Sequence, residues 1–171
     1  MKRHVDFYFE LWELLNTSFR ATVKVRQKEL DQYDITLQQS AVLRVALRLG
    51  KKATPTEISR QLFLELNSIS EQLRRMEKDG LVRKVKDLDR KNLIRIEVTQ
   101  KGYDSYCKSR TQKYIDYVMS SLTEKERLEL WSILAKLRAR AVEELGIRDL
   151  NLYPPADYLH SGVSIDQACK E

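Results

Sequence analysis

The sequence predicts a mainly helical chain interrupted by one short β-hairpin. Apolar residues recur at steps of three and four over most of its length, and the period drops to two in only two neighbouring stretches. Five Gly and three Pro among 171 residues leave long runs unbroken, and a composition of 42% hydrophobic and 33% charged residues belongs to a folded chain.

The first segment, from about Val5 to Gln32, sets Tyr8, Trp12, Leu15, Phe19 and Val23 on one helical face. Asp34-Ile35-Thr36 breaks that pattern. Thr36 followed by Gln39 reads as a capping box, in which the hydroxyl takes an orphan N–H and the amide reaches back. The helix it opens carries Leu37, Val42, Val45, Ala46 and Leu49, and Gly50 stops it. Thr54-Pro55-Thr56-Glu57 reads as a second capping box with proline at the first helical position, opening a short helix that buries Ile58 and Leu62. Asn67 is placed to cap a third helix running to about Asp79, with Ile69, Leu73 and Met76 facing inward. Gly80 ends it in the left-handed conformation that only glycine enters cheaply.

Apolar and charged residues then roughly alternate in Leu81–Lys86 and in Ile94–Val98, as strands require. Between them Asp87-Leu88-Asp89-Arg90-Lys91-Asn92 forms a polar hairpin tip. Thr99 caps one long helix carrying Tyr103, Tyr106, Tyr114, Tyr117 and Val118. Thr123 with Glu126 makes a third capping box for a last helix with Leu130, Trp131, Leu134, Leu137, Ala141 and Leu145. Beyond Gly146 the periodicity fades, and Pro154-Pro155 argues against regular helix.

A helix pair followed directly by a hairpin is a winged helix-turn-helix, so the full expectation is a mainly α chain with a small β-hairpin wing. The major groove of DNA admits one helix, read by its N-terminal side chains. With the aliphatic residues of the third helix turned inward, Asn67, Ser68, Ser70, Glu71, Gln72, Arg74 and Arg75 remain for its outer edge. Hydroxyl, amide and guanidinium groups suit base edges and phosphate oxygens. Glu71 opposes that trend, because a carboxylate repels phosphate; it can read cytosine or pair with a neighbouring Arg. On the hairpin, Lys86, Asp89, Arg90 and Lys91 form the second contact point, with Asp89 placed to orient Arg90. Charge is distributed accordingly. Of the net +6, Lys51 to Lys101 holds +5, with 13 basic against 8 acidic residues. The other reading of this edge is a solvated helix face, and of the whole chain a winged-helix protein–protein interaction module without DNA-binding activity.

Asn67-Ser68-Ile69-Ser70 with Leu73-Arg74-Arg75-Met76-Glu77-Lys78-Asp79-Gly80-Leu81-Val82 resembles the recognition segment of the MarR (multiple antibiotic resistance regulator) family. Asp89-Arg90-Lys91 is similar to that family's wing tip, and Val98-Thr99-Gln100-Lys101-Gly102 to its strand exit. The resemblance covers roughly Val5 to Leu145. The span from Asp89 to Thr99 is about one residue longer than the family pattern, and the tail after Gly146 is longer too. The resemblance implies a triangular homodimer in which 1–34 and 99–146 form a helical dimerisation lobe, 35–98 a DNA-binding lobe and 147–171 a tail. It also implies a pseudo-palindromic double-stranded operator and a small, often aromatic effector between the lobes; a repressor is expected over an activator because blocking polymerase requires only occupancy.

The terminal aromatic stripes independently exceed what a small winged lobe can cover, which favours pairing of two chains. A ligand pocket lined by Trp12, Phe19, Tyr33 or Tyr106 is a weaker expectation, since aromatics at helical spacing more often pack as core. Cys107 and Cys169 are too few and too far apart for a disulfide framework and fit a reducing cytoplasm with free thiols. Cys107 is expected as a buried structural thiol. His4 and His160 stand alone, so no metal site or other cofactor is expected. No glycine-rich phosphate loop, Gly-x-Ser-x-Gly elbow or His-Glu-x-x-His motif points to an enzyme. No signal peptide or apolar run long enough for a membrane span is present.

Overall fold

Threonine hydroxyls set four of the helix starts in the computed structural model, which describes residues 6–86, 93–110, 112–147, 152 and 154. The described elements are α1 (Phe7–Leu30), α2 (Leu37–Leu49), α3 (Pro55–Leu62), α4 (Leu66–Lys78), β1 (Val82–Lys86), β2 (Ile94–Val98), α5 (Gln100–Lys108), α6 (Lys113–Met119) and α7 (Glu124–Glu144). Short 3-10 turns follow α1 and α2. None of these helices is long and apolar enough to cross a membrane.

The capping boxes at Thr36 and Thr123 are both complete. Thr36 N–H donates to Gln39 Oε1 at 2.8 Å while Gln39 N–H donates to Thr36 Oγ1 at 3.1 Å. Thr123 and Glu126 repeat the exchange at 2.8 and 3.3 Å. The expected box at Thr54 is only half made: its hydroxyl accepts from Glu57 N–H at 3.1 Å. The Glu57 carboxylate turns forward instead, to Arg60 and Gln61 at 3.2 and 3.1 Å.

Asn67 does not cap α4. It lies inside the helix, whose cap position falls to Glu65 without a side-chain bond. The reason lies in the preceding turn. Phe63 takes the left-handed conformation at φ 54°, and the N–H groups of Phe63 and Leu64 bond back to Arg60 and Ser59 carbonyls. This closes α3 as a Schellman turn and leaves only Leu64 and Glu65 before α4 starts. A bulky residue at that φ costs about 1 kcal/mol, which glycine would avoid.

The single long helix expected from Thr99 to Val118 is two helices, α5 and α6. Side chains of α1 take over the ladder bonds at the break. Arg26 donates to the carbonyl of Ser109, and Tyr114 N–H donates to Glu29 Oε1 at 3.1 Å. In an unbroken helix those groups would have bonded at i→i+4 within the chain. Arg26 also pairs with Glu29, and Ser109 Oγ donates to the Tyr106 carbonyl at 2.7 Å while lying 3.3 Å from Ser40 Oγ. Glu29 and Ser109 are buried, so this polar joint is satisfied from within.

One hydrophobic core runs from Leu30 to Tyr106, taking in Val42 and Leu43 of α2, Ile58 of α3, Ile69, Leu73 and Met76 of α4, and Val82 and Ile96 of the hairpin. Leu30 and Tyr106 come from helices flanking the winged lobe, so its core continues into them. β1 and β2 pair antiparallel from Val82↔Val98 to Lys86↔Ile94. Ile96 N–H donates to the Ala53 carbonyl at 2.7 Å, tying the hairpin to the residue pair that precedes α3. α7 is different: none of its 21 residues is buried.

Candidate nucleic-acid interface

α4 is divided lengthwise. Ile69, Leu73 and Met76, at steps of four and three, are completely buried. On the other side Asn67, Ser68, Ser70, Arg74 and Arg75 are exposed, and Glu71 and Gln72 half-buried. The structure therefore brings all seven expected residues of α4 onto one accessible edge. Three exposed apolar residues, Phe63, Leu64 and Leu66, stand at the entrance to that edge. The sequence reading passed over them, because apolar residues beside a turn look like core.

The hairpin is fixed to the rear of α4 by two devices. Gly80, at φ 73°, lets Leu81 N–H reach back to the Met76 carbonyl at 2.8 Å and turn the chain directly into β1. Glu77 then holds β1: its carboxylate accepts from Lys84 Nζ at 3.0 Å and from Lys84 backbone N–H at 3.1 Å. The Lys84 ammonium, joined by that backbone N–H, keeps the Glu77 carboxyl below the ordinary carboxylate range. Across the strands Arg83 and Glu97 pair at 2.6 Å. Lys86 is exposed at the outer end of β1, and the tip residues Asp89, Arg90 and Lys91 lie outside the described residues.

Glu71 is engaged with both arginines of the edge. Arg74 donates through Nε and Nη2 to its two oxygens at 2.9 and 2.8 Å, and Arg75 Nε donates at 3.0 Å. The Arg74 guanidinium first, and Arg75 second, lower the Glu71 carboxyl to about 2. The carboxylate is therefore ionised at neutral pH.

A cavity of about 320 Å³ opens beside the polar joint, lined among others by Arg26, Ser40, Arg44, Tyr106, Ser109 and Arg110. Of the four aromatic residues considered for a pocket, Tyr106 lines it, while Trp12 and Phe19 are exposed on α1 and Tyr33 packs on the core. The polar lining comes from α1, α2 and the end of α5. No local spacing in the sequence marks residues so far apart as neighbours. Cys107 of α5 is half-buried and disulfide-bonded, which corrects the expectation of a free thiol.

The sequence profile of the MarR family matches residues 33–91. Among solved structures the chain is similar to the organohalide-sensing RdhR-CbdbA1625 transcriptional regulator in its 2,4-dichlorophenol-bound form. That likeness has 28% identity and a TM-score of 0.79, covering 88% of this chain and 90% of the other. A MarR family protein from Bacillus stearothermophilus is 26% identical, with a TM-score of 0.64 over 82% of this chain and 99% of the other. A mutant MarR from E. coli complexed with operator DNA is 21% identical, with a TM-score of 0.72 over 80% and 99%, a likeness of fold alone. No curated sequence matches the chain. The profile covers α2, α3, α4 and β1, about a third of the chain, and over most of its length the chain shares the winged helix-turn-helix fold of these transcriptional regulators, to whose MarR family that segment is similar.

Proposed function

We propose that this regulator is a homodimeric repressor that binds a pseudo-palindromic duplex through α4 and the hairpin, with its affinity set by a small effector. The lengthwise division of α4 carries the reading. Three completely buried aliphatic side chains brace the helix from behind, and its free edge presents hydroxyl, amide and guanidinium groups beside a basic hairpin. Base edges in the major groove need those donors and acceptors, and phosphates need the cations. Occupancy alone excludes polymerase, which makes repression the simpler mode. The chain acts by binding and catalyses no reaction.

Dimerisation is supported by surface that one chain leaves uncovered. Trp12 and Phe19 on α1 are 55% and 65% exposed, and Ile133 and Leu137 on α7 are 54% and 51% exposed. A second copy would bury both helices, as obligate interfaces do. The effector reading rests on the cavity at the joint. Its guanidinium, hydroxyl and phenol lining suits a small aromatic acid or phenol, and the solved relative with 2,4-dichlorophenol shows that a protein of this fold can hold such a molecule.

Fluorescence anisotropy with the duplex upstream of the protein's own gene tests the DNA reading. With six to ten phosphate contacts, affinity should fall about a thousandfold or more between roughly 50 and 200 mM salt, and the upstream duplex should outcompete random sequence. An interaction module without DNA-binding activity gives neither the preference nor the slope.

A further inference from the structure

Glu71 occupies the middle of the edge assigned above to DNA. Its carboxylate receives a two-bond fork from Arg74 and a third bond from Arg75, at 2.8 to 3.0 Å. Side chains at i, i+3 and i+4 are neighbours on one helix face, so the three groups form a single cluster there. Both arginine side chains are 65% exposed and that of Glu71 43%, so the cluster faces solvent. A guanidinium uses this same fork on a phosphate, and a similar one on the O6 and N7 of guanine. The two cations best placed to grip DNA are therefore already gripping a carboxylate, and the trio presents one net positive charge instead of two.

Exposed ion pairs contribute little to stability, and this cluster is not needed to hold α4, whose helix is fixed by its buried side. Its consequence falls on binding. A phosphate approaching at random must displace the carboxylate to reach either guanidinium. A correctly placed base sequence can instead offer the carboxylate a donor of its own, such as a cytosine amino group, and release both arginines together.

We propose that Glu71 is a specificity-determining positioning residue, which clamps Arg74 and Arg75 and so weakens binding to non-operator DNA more than binding to the operator. The proposal rests on α4 being the DNA-reading helix. It accounts for an acidic residue in the middle of an otherwise cationic edge.

The test compares wild type, Glu71→Gln and Glu65→Gln on the upstream duplex and on random duplex across a salt series. Glu65 is an exposed acid at the start of the same helix without a side-chain cap bond, so its variant removes an equal charge without unclamping the arginines. Glu71→Gln should bind random duplex roughly five- to tenfold more tightly at about 0.1 M salt, with a log–log salt slope steeper by about one. The upstream duplex should gain less, so the specificity ratio falls, and Glu65→Gln should leave that ratio unchanged. Equal gains on both duplexes, or equal effects of the two variants, would reduce Glu71 to a bulk charge and overturn the proposal. Unchanged binding by Glu71→Gln would overturn it as well, while leaving the DNA reading intact. Failure of wild type to bind either duplex would remove both.

Discussion

At Gly102 a hydrogen in place of a methyl group lets α5 close onto the start of the hairpin. A Cβ there would stand 2.0 Å from the Leu81 carbonyl oxygen and 3.0 Å from Val98 Cγ1. The nearer atom is backbone and cannot swing aside. Gly102→Ala should therefore lower the free energy of unfolding by about 3 kcal/mol in urea denaturation, and a loss under about 0.5 kcal/mol would contradict the contact. Glu77 offers a test by pH. Its carboxyl is held below 4.5 by Lys84, so the bond stabilises the fold above that value and is lost as pH falls through the depressed pKa. Wild type should exceed Glu77→Gln in melting temperature near neutrality, and the two should converge in acid. A constant gap at every pH would show that the charge is irrelevant. Gly80 was legible in the sequence because few other residues enter its conformation. Phe63 was not, since nothing in its identity announces a left-handed turn.

For the elements, the sequence periods located α4 well because its buried and exposed residues separate cleanly by three and four. Its start lies two residues before the expected one, since Asn67 looks like a cap and Glu65 does not. The break between α5 and α6 was illegible for a different reason. It is made by Arg26 and Glu29, some eighty positions away, which replace local ladder bonds. Function should follow the division of α4. Arg75→Ala is expected to weaken operator binding roughly tenfold or more and to relax preference at one base position, as competition with substituted duplexes would reveal. A uniform loss across all sequences would make Arg75 a phosphate contact only. α7 gives the test of assembly: Leu134→Glu and Leu137→Glu place charge on a face 40% and 51% exposed in one chain. Sedimentation should show dimer for wild type and monomer for the pair of substitutions, with the helical content of the winged lobe retained. An unchanged mass would move the interface elsewhere.

Taken whole, the molecule joins a braced winged lobe to helices that have too little of their own chain to cover them. Arg26, Glu29, Ser40 and Ser109 make the joint between these parts, and the cavity opens beside it. A molecule bound there would touch α1, α2 and the end of α5 at once, which is where a change of lobe spacing would start. The order of helices and hairpin was readable from hydrophobic period and capping, except where α5 breaks from α6. The joint was not, because its polar residues come from distant segments and carry no shared spacing. In the proposed complex two copies of α4 enter successive major grooves of one duplex. Hydroxyl-radical footprinting of the full chain on the upstream duplex measures that directly. The predicted result is a pair of symmetric protected segments, centred about one helical turn, roughly 10 bp, or a multiple of it apart. A single protected patch without symmetry, or no protection at concentrations that saturate random duplex, would contradict it.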